Sequence, residues 1–212
     1  MHHDDAAEPA DQSNVLNQVS RAKAALRSQV RARRRARATV VDASAQRAAA
    51  GAALADAVET LVAGLALAAM GEVCRVAAYE SRPTEPPTEA LIARLQSAGH
   101  EVIVPITGPL ADRTLSWRTP TGPVLGVDAI AGAHLVLTPG LAVDRSGLRL
   151  GQGGGYYDTA LGLVADGIPV LTLLWDDELT GAPLPAHPHD RHVDGVVTPG
   201  GGVQWLPAGA PD

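Results

Sequence analysis

The chain has no phenylalanine, one cysteine and one lysine among 212 residues, and aromatic side chains make up only 3% of it. Each scarcity removes an option. Cys74 has no second cysteine to pair with, so no internal disulfide can hold the fold; this suits a reducing, cytoplasmic setting, with Cys74 as a small core residue. With so few rings the core must come from Leu, Val, Ile and Ala, and small side chains demand closely packed layers of helix and sheet. No apolar run reaches the ~18 to 20 residues of a bilayer span. The best stretch, Leu61 to Met70, is short and holds Gly64. Met1 to Asn14 lacks the apolar centre of a signal peptide. No membrane association is expected.

Positive charge is also short. The formal net charge is -6, which argues against general nucleic-acid binding because duplex recognition neutralises phosphates with basic surface. The run Arg31, Arg33, Arg34, Arg35, Arg37 lacks interleaved aromatics on which bases could stack. It reads as an exposed helix face whose guanidiniums pair with local carboxylates. A small anionic ligand stays open. A hydrophobic share of 46% excludes wholesale disorder.

Length favours one domain. Residues 1–17 read as a flexible acidic tail, 18–200 as a single α/β domain and 201–212 as a second loose end. Ser20 is placed to cap a first helix, and Asp42 to cap a second running to about Met70 with a possible break at Gly64. Thr88 to Ser97 is a third helix, with Leu91, Ile92 and Leu95 on one face. Between helices lie short apolar runs at Arg75 to Tyr79, Val102 to Ile106, His134 to Thr138, Pro169 to Trp175 and Val193 to Thr198. That alternation predicts a three-layer α/β/α sandwich with a mostly parallel central sheet. Gly108 to Gly126 and Asp176 to Arg191, rich in Pro, Gly and Thr, read as loops beside a ligand crevice.

The most informative stretch is Arg149-Leu-Gly151-Gln152-Gly153-Gly154-Gly155-Tyr156-Tyr157-Asp158. Consecutive glycines let backbone amides turn toward a phosphate without side-chain obstruction. A helix starting at Tyr156 would add positive potential, and Arg149 adds a formal charge. Asp158 so close to a phosphate cradle fits a magnesium site or, equally well, helix capping. The loop is no Walker A motif, since no Gly-Lys-Ser/Thr follows, and Tyr156 occupies the place where a dinucleotide fingerprint needs a small residue. Sixteen arginines accompany the one lysine, Lys23. An ammonium is a compact point charge that a guanidinium does not simply replace. Lys23 and Arg27, four apart, share a helical face and could clamp outer phosphates, or could simply be solvated.

Lys23-Ala-Ala-Leu-Arg27 resembles the amino-terminal Lys-x-x-Leu-Arg signature of the 5-formyltetrahydrofolate cyclo-ligases. Glu85-Pro-Pro-Thr88 with Gly99 to Pro105 resembles that family's substrate segment, Arg149 to Asp158 its ATP loop, and Pro185 to Asp190 with Val193-Asp194 its carboxy-terminal signature. The likeness runs in the family's order over roughly Ser20 to Thr198. It implies ATP- and magnesium-dependent closure of 5-formyltetrahydrofolate to 5,10-methenyltetrahydrofolate by a monomer. Lys23, Arg27 and Arg149 would neutralise phosphates held by the amides of Gly151, Gln152, Gly153, Gly154 and Gly155. Asp158 and Asp190 would hold magnesium, with Asp194 in reserve. Glu85 would meet the folate, and Tyr156, Tyr157 and Trp117 would line the pocket; Trp117 fits core packing equally well. Lys23, Arg149 and Tyr156 would be the catalytic groups. Gln152 and Thr159 stand where many relatives carry charged residues, and Thr119, His134 and His187 also depart from the pattern. These departures motivate a second reading, a divergent member that binds nucleotide or folate with little turnover.

Overall fold

The computed structural model describes residues 8–68, 73–109, 111–187 and 190–207. Helix α1 (Glu8–Arg37) precedes α2 (Ala43–Ala68); then come β1 (Arg75–Ala77), α3 (Glu89–Ser97), β2 (Glu101–Thr107), β3 (Leu115–Arg118) and β4 (Val124–Gly126). β5 (Leu135–Pro139), β6 (Ala142–Asp144) and β7 (Arg149–Leu150) lead to the one-turn α4 (Tyr156–Ala160), β8 (Val170–Leu173), β9 (Leu179–Thr180), β10 (Gly195–Thr198) and β11 (Gly202–Trp205). Eight strands form one sheet in the order β11-β10-β8-β5-β1-β2-β3-β4. Its centre, β10 to β2, is parallel, and the outer strands β11, β3 and β4 pair antiparallel. This is the expected mixed α/β architecture.

Successive side chains of a strand point to opposite faces, and here both faces are covered. Val76, Val102, Val104, Leu135 and Leu137 pack with Leu54, Val58 and Val62 of α2 and with Leu91 and Leu95 of α3. Their neighbours Ala77, Ile103 and Val136 pack with Ile130, Ala160 and Leu161 on the other face. Cys74 is buried beside the first layer.

Several expectations need correcting. α1 begins at Glu8, twelve residues before Ser20, so residues 8–17 are helical; residues 1–7 lie outside the described part. α2 passes Gly64 without a break, although Met70 lies outside the described residues. Its segment Ala43–Ala66 is long and apolar enough by length and composition to cross a membrane, although scattered polar residues leave it without an uninterrupted apolar run of that length. Its stripe of Leu54, Val58 and Val62 is spent on the sheet. Within the predicted loops, β3 and β4 extend the main sheet beyond β2, and β9 pairs with β6 in a separate three-stranded sheet. The supposed carboxy-terminal tail includes β11, paired to β10.

α1 stays off the main sheet. Val30 is buried against Leu141, Ala142 and Leu150 of the small sheet, with Leu26 beside it. Arg34, expected on an exposed face, is only 2% exposed. It grips Glu178 through two bonds of 2.7 Å and donates to the Gly140 carbonyl at 2.6 Å. Glu178 also accepts from the Trp175 amide at 3.0 Å. Burial alone would pull the Arg34 pKa down, but Glu178 outweighs it and raises it. Asp144 is a second anchor: its carboxylate accepts from the amides of Ser146, Leu148 and Leu184 and from the Ser146 hydroxyl.

Removing one partner of a buried pair leaves the other charge uncompensated. Glu178→Ala is therefore expected to lower stability by about 3 to 5 kcal/mol in urea denaturation. A loss under about 1 kcal/mol, the range of exposed pairs, would show that Arg34 is not held as described.

Candidate active site

A cavity of about 660 Å³ opens at the carboxyl ends of β1, β2 and β5, the usual crevice of a parallel sheet. Lys23 and Arg27 of α1 form one wall and Gly151 to Asp158 another; Glu85, Arg113, His187 and Asp190 complete it. The sequence-predicted residues Lys23, Arg27, Glu85, Arg149, Gly151 to Asp158 and Asp190 thus converge, although well over a hundred positions separate the first from the last. Trp117 does not join them. It is fully buried in the layer of Ile103, Leu115 and Ile130, because β3 belongs to the sheet and turns that ring inward. Asp194 is also elsewhere, accepting the Val170 amide at 2.7 Å.

The glycine loop has the backbone its sequence requires. Gly153 and Gly155 adopt left-handed φ values of 105° and 72°, which residues bearing a β-carbon rarely take. The helix behind the loop is a single turn, so the expected macrodipole contribution is small. α1 closes on the loop through Arg27, whose Nε donates to the Gly151 carbonyl at 2.9 Å, and Arg31, which donates to the Gln152 carbonyl at 2.8 Å and side-chain oxygen at 3.0 Å. Gln152 passes the contact on, donating to Glu85 at 3.1 Å. Glu85 is buried and also accepts the Arg82 amide at 2.9 Å. Arg47 of α2 fixes its segment by donating to the Glu85 carbonyl at 2.6 Å.

Two acids of the cavity are each paired with a cation. Lys23 is buried and contacts Asp190 directly. Arg149 donates to Asp158 at 3.0 Å and to the Pro139 carbonyl at 3.1 Å. Burial opposes ionisation of Asp190, but Lys23 and the His187 amide outweigh it and hold its pKa below the ordinary value. Burial lowers that of Arg27, with Arg31 adding to the effect against Asp190 and Asp158. Burial pushes the Tyr157 hydroxyl up. Tyr156 donates its hydroxyl to the Gly108 carbonyl at 3.2 Å. Three buried atoms of the cavity wall, the Tyr79 and Tyr157 hydroxyls and Arg149 Nε, have no hydrogen-bond partner among the described residues, and buried polar atoms are seldom left so unless something else engages them.

A second cleft of about 780 Å³ lies between α1, α2 and Trp175. Its guanidiniums are already engaged, Arg34 by Glu178, Arg37 by Asp177 and Arg47 by Glu89 and two carbonyls. It offers an anion far less than the glycine-loop cavity.

The family model of the 5-formyltetrahydrofolate cyclo-ligases matches residues 19–199. The chain belongs to that family. It is 35% identical over 149 residues to the 5-formyltetrahydrofolate cyclo-ligase of Mycolicibacterium smegmatis, covering 62% of this chain and 76% of the relative. Two solved structures share the fold. A 5,10-methenyltetrahydrofolate synthetase from Mycoplasma pneumoniae superimposes with a TM-score of 0.62 at 19% identity, over 82% of this chain and 96% of that one. The Aquifex aeolicus protein of the same name gives 0.59 at 21%, over 90% and 95%.

His134, His187, Thr159 and Thr119 have local work. His134 accepts the Arg75 amide at 3.0 Å, and His187 sits 3.2 Å from the Ser20 hydroxyl while its amide donates to Asp190. Thr159 donates its hydroxyl to the Gly155 carbonyl at 3.4 Å. Thr119 accepts the Gly122 amide in the β3–β4 turn. Arg113 and Arg82 were not foreseen, because both lie in segments whose sequence shows only turn residues.

Titration of Asp190 by carbon-detected NMR is expected to give a midpoint below that of an ordinary aspartate. A carboxylate with a depressed folded pKa stabilises the protein above its unfolded pKa and loses that contribution as pH falls through the folded value. The Lys23 contact should therefore persist at neutral pH and fail only in acid. Lys23→Met should move the midpoint upward; no movement would mean that the ammonium does not hold Asp190.

Proposed function

We propose that this protein closes 5-formyltetrahydrofolate to 5,10-methenyltetrahydrofolate, using ATP and magnesium and releasing ADP and phosphate. One observation carries the reading: a bare glycine loop, the single lysine and the acids Asp158 and Asp190 line one cavity with Glu85. The formyl oxygen of the substrate leaves poorly. Transfer of phosphate to that oxygen makes it a leaving group, the neighbouring ring-forming amine attacks the formyl carbon and loses its proton, and the oxygen departs with the phosphate. Such chemistry asks a protein chiefly for positioning and charge stabilisation.

The residues fit those demands. Magnesium is commonly held by one or two carboxylates together with phosphate oxygens and water, and Asp158 and Asp190 are the candidates. Among the described residues no group of three or more His, Cys, Asp or Glu could enclose a metal alone, so phosphates would complete the coordination. Magnesium when bound would neutralise the phosphate charge and orient the transferring group. Asp158 and Asp190 are paired with Arg149 and Lys23 in the cavity, so a carboxylate that turns to a metal frees a cation for a phosphate. That exchange keeps every buried charge compensated. Glu85, buried and held by Gln152 and Arg82, offers acceptors to the donors of a pterin. Tyr156 and Tyr157 border the same space, and the Tyr157 hydroxyl has a hydrogen-bond valence to spare.

The test is to mix purified protein with 5-formyltetrahydrofolate, ATP and magnesium and follow methenyl absorbance. Product formation should require all three. Lys23→Ala and Asp158→Ala should each lower turnover about a hundredfold while leaving the folded spectrum intact. Absence of any ATP-dependent signal at high protein concentration, with ATP and folate still bound, would instead establish the divergent binder.

A further inference from the structure

Among the described residues, one cation of the cavity touches the glycine loop with its side chain in neither an ion pair nor a hydrogen bond. Lys23 faces Asp190, Arg149 faces Asp158, and Arg27 is held by the Gly151 carbonyl. Arg113, from the connection between β2 and β3, has no acidic partner among the described residues. Its side chain lies on Gly155: a β-carbon at that glycine would stand 3.2 Å from Arg113 Cδ and 3.3 Å from Nη1. Arg82 also lacks an acid but makes no such contact with the loop.

The backbone at Arg113 is as unusual as its charge. It adopts a φ of 48°, one of two left-handed non-glycine residues in the described chain, a conformation that costs stability and persists where the surroundings impose it. Here they do. The amides of Asp112 and Arg113 both donate to the Pro109 carbonyl, Gly108 donates to the Thr114 carbonyl, and Tyr156 reaches across to the Gly108 carbonyl. The connection is thereby tied to the same loop that its arginine covers.

Arg27 and Arg113 reach that loop at different glycines, since a β-carbon at Gly153 would meet the Arg27 guanidinium at 3.5 Å while one at Gly155 would meet Arg113. We infer that Arg113 is a further polyphosphate-binding residue, gripping the nucleotide from the β2–β3 connection while Arg27 does so from α1. This rests on the nucleotide reading above. An unpaired guanidinium offers a phosphate two parallel donors with no ion pair to break first.

Calorimetry on the full chain, with magnesium present, tests it using inorganic tripolyphosphate, ATP and 5-formyltetrahydrofolate. Tripolyphosphate has no base or sugar and so reports on the phosphate cradle alone. Arg113→Gly removes the cation and also the left-handed strain, so its melting temperature should not fall. It should bind tripolyphosphate and ATP about ten- to a hundredfold more weakly, as loss of a hydrogen bond to a charged group predicts. Arg113→Lys should recover part of the loss, and folate affinity should stay unchanged. Polyphosphate affinity equal to wild type would overturn the assignment. So would a loss confined to the folate, which would place Arg113 on a substrate carboxylate, or a loss for all three ligands with a lower melting temperature, which would make it scaffold. If wild type itself bound neither polyphosphate, the nucleotide reading would fall and this inference with it; equal binding by wild type and Arg113→Gly would sink this inference alone.

Discussion

The site depends on a bond formed outside it. Arg34 and Glu178, both buried, set where α1 lies and how it is rotated about its axis. From Lys23 to Arg34 is eleven residues, about 16 Å or three turns of helix, so the two ends of one stripe are joined rigidly. A slip of one residue would turn Lys23 by about 100° and carry it out of the cavity. The helix has little apolar surface to specify that rotation: Val30 is buried and Leu26 partly so. Directional polar contacts do it instead, Arg34 to Glu178 and Gly140, Arg31 to Gln152, Arg27 to Gly151 and Lys23 to Asp190. A buried ion pair adds little net stability over a hydrophobic replacement, so its value here lies in the register it imposes.

The same economy of net charge governs the cavity. Two of the cavity's cations that would suit phosphate and two acids that would suit a metal are already joined. An anion that takes Lys23 or Arg149 would have to compete with Asp190 or Asp158 for it. A metal and a polyphosphate arriving together could take one partner each. On the proposed reading this explains why the lysine is buried rather than waving in solvent: it is held at its post by the residue that must later release it.

Much of this was legible in the sequence wherever a local rule operated. The apolar runs of β1, β2, β5, β8 and β10 announce a parallel sheet because both faces are buried, and α3 shows its Leu91, Ile92, Leu95 face openly. The glycine loop could be read because Gly153 and Gly155 must be glycine for backbone reasons that need no neighbour. What could not be read was tertiary. β3 and β4 sit among Pro, Thr and Gly, and become strands only because β2 offers an open edge. Arg34 looked like its exposed arginine neighbours, since nothing local reveals that Glu178, 144 positions later, lies under it. Trp117 was equally suited to pocket or core, and the direction in which β3 turns its side chains decided for the core. Arg113 lies in a stretch whose composition says only turn, so its arrival over Gly155 depends on the sheet register and on Tyr156.

Gln152 ties the two halves of the site together. Arg31 bonds both its carbonyl and its side-chain oxygen, while its amide donates to Glu85, so one residue links α1 to the acid proposed to meet the folate. Arg31 is exposed and does not line the cavity, and water reduces a unit interaction at about 4 Å to about 1 kcal/mol, so its charge adds little to the field over the loop. On the proposed reading the attraction for phosphate therefore rests on the cations that line the cavity, and Arg113, reaching the loop at Gly155, is the one touching the loop whose side chain no ion pair or hydrogen bond engages among the described residues.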